Sequence, residues 1–202
     1  EYQRESLGWM RFLRDFGFGG CLADDMGLGK TVMVLAMLAA RRDNSAAGQL
    51  PSLVVLPRSL LFNWMSEAAR FAPSLRLRDF AHADRHQAAD GIPHSDLVFT
   101  TYGTLRRDAA VLKDHRFDYV ILDEAQAIKN ATTATAKAVR LLHANHRLAL
   151  TGTPVENHLG ELYSLFDFLN PGLLGHQKSR RPKEDSQLAT LARGLRPFIL
   201  RR

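Results

Sequence analysis

Leu22-Ala23-Asp24-Asp25-Met26-Gly27-Leu28-Gly29-Lys30-Thr31 is the stretch that sets the fold of this 202-residue chain. It overlaps the short apolar run Gly20 to Ala23 and opens into Thr31 to Arg42, which is rich in Ala, Leu and Met. Strand, glycine turn and helix in that order give a phosphate what it needs: inward-pointing backbone N–H groups, a helix N-terminus, a cation and a hydroxyl. Gly27 and Gly29 shape the turn, Lys30 is placed for the outer phosphates, and Thr31 offers its hydroxyl to magnesium. Asp24 stands where the general pattern has its first glycine.

A second signal lies 93 residues beyond Lys30, where the apolar run Tyr119-Val120-Ile121-Leu122 ends in Asp123-Glu124-Ala125-Gln126. An Asp-Glu pair standing alone reads as a helix N-terminus placed favourably in the helix dipole. At the tip of a hydrophobic strand, downstream of a phosphate loop, it reads as that loop's acidic partner. Asp123 would hold magnesium through its water shell, and Glu124 would orient or deprotonate an attacking water.

Outward from these two motifs, short Val-, Ile- and Leu-rich runs alternate with segments of helical period, which predicts a parallel sheet covered by helices on both faces. The strands are expected at Gly20 to Ala23, Leu53 to Leu56, Leu75 to Phe80, Asp96 to Thr101, Tyr119 to Leu122 and Arg147 to Thr151. Trp9, Phe12, Leu13 and Phe16 share one helix face, and Leu60, Trp64, Ala68 and Phe71 form another core stripe. Asp43 to Ser52 reads as a surface loop.

At 46% hydrophobic and 24% charged, the composition is that of one ordinary globular domain. The longest apolar stretch, Val32 to Ala40, is too short to cross a bilayer, so no membrane partner and a cytoplasmic location are expected. The single cysteine, Cys21, allows no internal disulfide and reads as a buried strand residue. The net charge of +6 is concentrated at one end: residues 1–175 hold 19 basic and 19 acidic residues, and the remaining 27 hold eight basic against two acidic. A solvated basic tail accounts for that excess as well as a nucleic-acid surface does.

The motifs taken together resemble the first RecA-like lobe of Swi/Snf-type ATPases in helicase superfamily two, in the form common in bacterial members. Tyr2-Gln3 with Gly8-Trp9 resembles the family's adenine-reading motif, which implies a nucleotide contact for Gln3. The residues Asp24, Asp25, Met26, Gly27, Leu28, Gly29, Lys30 and Thr31 match its ATP-binding loop, including the aspartate in place of the first glycine. Leu53 to Trp64 and Thr100-Thr101-Tyr102 are similar to its next two motifs, and Asp123 to Asn130 to its acidic motif, with Gln126 where many relatives have His. Leu150-Thr151-Gly152-Thr153-Pro154-Val155-Glu156-Asn157 resembles the segment coupling hydrolysis to DNA movement. Alone, the threonine clusters read as strand ends or helix caps. The resemblance implies DNA-backbone contacts for Pro57, Arg58, Thr100, Thr101 and Tyr102, and coupling for Gln126, Thr151, Gly152 and Thr153.

What it implies for the whole is an ATP- and Mg2+-dependent translocase on double-stranded DNA, hydrolysing ATP when a second RecA-like lobe of the same polypeptide closes on this one. Alternatives are a strand-separating helicase, an RNA-polymerase-remodelling ATPase and a non-hydrolysing scaffold; Glu124 disfavours the scaffold. Residues 1–175 are expected to form the lobe, 176–187 a basic segment without fixed structure or a gap, and 188–202 the lobe's end leading to the interlobe linker. A start at Glu1 and the missing second lobe read as a piece of a longer protein. His82 and His86 stand one helical turn apart but have no third ligand at a recognisable spacing, which disfavours zinc.

Overall fold

Runs such as Ser52–Leu56 and Leu97–Thr101 are buried along their whole length, which only a sheet covered on both faces allows. The computed structural model describes residues 1–25, 27–43, 49–82, 89–152, 159–175, 191 and 193–201. Among them, β1 (Gly20–Leu22), β2 (Ser52–Leu56), β3 (Leu77–Asp79), β4 (Leu97–Thr101), β5 (Arg116–Leu122), β6 (His143–Leu150) and β7 (Ile199–Leu200) form one sheet in the order β3-β4-β2-β5-β6-β1-β7. Every pairing is parallel, as the alternation of apolar runs and helices predicts. All seven strands therefore deliver their C-terminal tips to the same edge.

Alternate strand residues point to opposite faces, and the core divides accordingly. Val54, Leu56, Ile121 and Leu148 pack with α1 (Tyr2–Asp15), α2 (Lys30–Asp43) and α3 (Leu61–Phe71). Leu53, Val55, Val120 and Leu122 pack with α4 (Tyr102–Leu112), α5 (Ala134–Arg140) and α6 (Leu159–Leu169). Cys21 lies in the second group, fully buried, and burial pushes its thiol up to about 12.

Several expectations are corrected. β5 and β6 begin well before their apolar runs, at Arg116 and His143, because the main chain there pairs in register, Arg116 with His143 and Phe117 with Ala144. β3 is shorter than expected, starting at Leu77. β7 has only two residues and no strand signal of its own; it exists because Ile199 and Leu200 pair with Cys21 and Leu22. On α1 the buried stripe is Ser6, Met10 and Leu13, leaving Phe12 and Phe16 exposed. The α3 stripe holds for Trp64 and Ala68, whereas Phe71 is exposed. The expected loop Asp43 to Ser52 lies partly, and the basic segment 176–187 wholly, outside the described residues.

Candidate active site

The phosphate loop joins β1 to α2. Gly27 and Gly29 have φ of 87° and 76°, left-handed values that a side chain resists, so glycine is required at both turns. Lys30 opens α2, with Thr31 behind it in the first turn, both partly exposed. The Lys30 ammonium donates to the main-chain oxygens of Asp24 (2.6 Å) and Asp25 (2.9 Å), bridging the loop it would leave for a phosphate. The first turn of α1 closes the other side: Tyr2 donates to the Leu28 carbonyl at 2.6 Å, and a Cβ placed on Gly29 would meet the Gln3 amide nitrogen at 3.4 Å. Gln3 is thus at the loop. Asp24 is buried and Asp25 exposed, while Met26 lies outside the described residues.

Asp123 and Glu124 leave the tip of β5, two strands from β1. Asp123 is buried, and desolvation raises its carboxyl above the ordinary value despite opposing hydrogen bonds from Trp64 and Glu124 and the Lys30 charge. Its Oδ2 accepts from the Trp64 indole at 2.7 Å, its Oδ1 from the Glu124 N–H at 2.9 Å, and its main-chain oxygen from the Tyr102 hydroxyl at 2.7 Å. Burial and the two acidic neighbours push the Tyr102 hydroxyl well above its usual range, so it remains a donor. Glu124 has φ 50° and ψ 57°, the one left-handed non-glycine among the described residues. Such a conformation costs about 1–2 kcal/mol and aims the side chain away from the strand direction.

A hydrogen-bonded chain runs from that glutamate to β6. Gln126 donates to Glu124 Oε2 at 2.7 Å, and Thr151 donates to Gln126 Oε1 at 3.2 Å. Of the expected coupling residues, Gln126 therefore meets the expected water-activating residue directly and Thr151 reaches it through Gln126, with Gly152 next in the chain and Thr153 outside the described residues.

The expected DNA-facing residues divide. Pro57 is partly exposed and Arg58 exposed at the tip of β2, on a short 3-10 turn leading into α3. Thr100 and Thr101 are buried, and this corrects the expectation that their hydroxyls face phosphates. Thr100 donates to the Phe80 carbonyl at 3.3 Å; Thr101 caps α4, accepting from the Thr104 N–H at 3.1 Å. The helix-cap reading of Thr101 is what the structure shows. Tyr102 likewise turns inward to Asp123. Sequence reasoning placed Tyr2 beside Gln3 in a motif and Trp64 in another and in a core stripe, but assigned neither a contact at the site; the signal for Trp64 is that a buried indole N–H needs an acceptor.

Phosphate loop, acidic strand tip and linking glutamine on one edge of a parallel sheet define a P-loop nucleotide-binding lobe. The SNF2-related domain family matches residues 2–202, and the chain belongs to that family. It is 40% identical over its whole length to a putative ATP-dependent helicase/translocase, YwqA of Bacillus subtilis, and 36% identical to the TATA-binding protein-associated factor MOT1 of Saccharomyces cerevisiae. It spans 23% and 12% of those relatives. The Sulfolobus solfataricus SWI2/SNF2 ATPase core in complex with double-stranded DNA superposes with a TM-score of 0.90 at 43% identity, all of this chain covering 43% of that one. Among the described residues no helix is long and apolar enough to cross a membrane.

Proposed function

We propose that the chain binds Mg-ATP at this edge and forms one half of an ATP-driven motor on double-stranded DNA, hydrolysing ATP when a second lobe of the same polypeptide completes the site. The observation that carries the reading is the convergence of Lys30, Asp123 and Glu124 on one sheet edge, with Lys30 near enough to Asp123 for its charge to be felt. A hydroxyl and a carboxylate are the hard oxygen donors that suit magnesium, so Thr31 and Asp123 fit the ion. Held by these two residues, it would supply positive charge against the negative charge that develops during phosphoryl transfer.

The chain's own residues divide the remaining tasks. Lys30 leaves the carbonyls of Asp24 and Asp25 for the triphosphate, and Gly27, Leu28 and Gly29 wrap it with main-chain N–H groups. Gln3 contacts the base. Glu124 holds the attacking water and accepts its proton, and Gln126 with Thr151 reports the state of that carboxylate to β6. Arg58 supplies the charge for the DNA backbone; the threonines behind it shape the surface. Support comes from the relatives, which include a putative ATP-dependent helicase/translocase and a SWI2/SNF2 ATPase core in complex with double-stranded DNA.

The test is steady-state ATP turnover of the full-length protein with and without duplex DNA of unrelated sequences. Stimulation should be independent of sequence and fall steeply with salt, because phosphate contacts release counterions. Turnover indifferent to duplex DNA would overturn the motor reading.

A further inference from the structure

Asp123 is gripped by two side chains far from it in sequence. An indole N–H donates and cannot accept, and Trp64, 1% exposed, directs its N–H to Asp123 Oδ2 at 2.7 Å. The other oxygen takes the Glu124 N–H at 2.9 Å. The torsion that turns a carboxylate plane is otherwise broad, so one donor on each oxygen fixes that plane. Tyr102 holds the peptide behind it, through the Asp123 main-chain oxygen at 2.7 Å. Trp64 stands one turn into α3, the helix that follows the turn begun by Arg58, and Tyr102 opens α4 at the tip of β4. Packing alone would place these rings without aiming both donors at one residue.

We propose that Trp64 and Tyr102 are positioning residues for the metal-binding carboxylate. Trp64 sets the plane of the Asp123 carboxylate and Tyr102 sets the peptide that carries it, so the lone pairs left over face the cation's water shell. The inference rests on the reading of Asp123 as the magnesium carboxylate. Because both donors issue from elements at the tips of β2 and β4, the ion's seat is oriented by the same segments that border the proposed DNA face.

The experiment titrates Mg2+ into the full-length protein with a fluorescent ATP analogue, and repeats the nucleotide titration in EDTA. Trp64→Phe keeps an aromatic ring and deletes the N–H. Its Mg2+ half-saturation should rise by about tenfold or more, the usual size for losing an outer-shell donor, while nucleotide affinity in EDTA stays at the parent value. A purely structural role would not separate the two readings. Should the exchange impair folding, Tyr102→Phe removes a single oxygen and carries the same test, with a smaller rise expected. Parent-like half-saturation in the folded variant overturns the proposal. Asp123→Asn keeps the two possible failures apart. If it too binds Mg-nucleotide like the parent, the carboxylate reading falls and the proposal with it; if it alone loses Mg2+ dependence, only the positioning role is overturned.

Discussion

Strand β5 has one buried aspartate near its start and another just past its tip, and the two are treated in opposite ways. Near the base, Asp118 receives a two-pronged guanidinium from Arg41 at 2.7 and 2.6 Å, and Arg41 also lies over the Tyr119 ring at 5.2 Å. At the tip, Asp123 accepts from an indole and a main-chain N–H, both neutral. Each is buried, 4% and 7% exposed, so both suffer desolvation. At the base the counter-charge is built into the fold. At the tip the hydrogen-bond partners are neutral donors that orient the carboxylate, with only the Lys30 charge acting on it from the phosphate loop, and the magnesium nucleotide proposed above would add the counter-charge. The same base-edge pattern recurs at Asp96, which accepts from Arg42 and Arg76.

The largest effect expected from this contrast is at the tip. Glu124→Gln keeps shape and most hydrogen bonding but removes the basic oxygen, so ATP turnover of the full-length protein should fall by about 10²- to 10⁴-fold. Nucleotide affinity and melting temperature should stay at parent values. Steady-state hydrolysis beside a nucleotide titration checks both, and parent-like turnover would remove Glu124 from the chemistry.

Arg41→Met reverses the profile. It leaves Asp118 buried without its guanidinium, which should cost about 3–5 kcal/mol of stability. Under conditions where the variant remains folded, the nucleotide half-saturation point should not move. Urea unfolding measures the loss; a variant as stable as the parent would break the distinction between the two ends of β5.

The smallest effect concerns pH and sharpens the base-edge half of the comparison. Burial alone would raise the Asp96 carboxyl, but hydrogen bonds from Arg76 and the charges of Arg42 and Arg76 outweigh it and hold the group below its ordinary value. The folded state therefore takes up that proton later than the unfolded one. Its stabilisation is complete above the unfolded carboxylate value of about 3.9 and is lost as pH falls through the lower folded value. Arg76 is largely exposed, so Asp96→Asn should cost only on the order of 1 kcal/mol near neutral pH. That gap should close on acidification, as followed by thermal melts across the acid range. A gap independent of pH would mean that Asp96 acts by shape and not by charge.

The phosphate loop, the acidic tip of β5 and six of the seven strands were legible in the sequence. Each rests on local chemistry: glycines needed for left-handed turns, apolar runs that must be buried on both faces, and carboxylates placed where a run ends. The tertiary structure alone decided three things. Ile199 and Leu200 are a strand only because β1 offers them an edge, with pairing partners 178 residues away. Thr100 and Thr101 turn inward, their hydroxyls bonded to Phe80 and Thr104, which decides between the strand-end and cap reading of the residues alone and the phosphate contact that the resemblance implies. Trp64 meets Asp123 because parallel crossovers bring α3 across the face of β5, 59 residues downstream. A donor's need for a partner is written in its side chain; which acceptor answers is settled by the packing of elements distant in sequence, where no local period or turn leaves a trace.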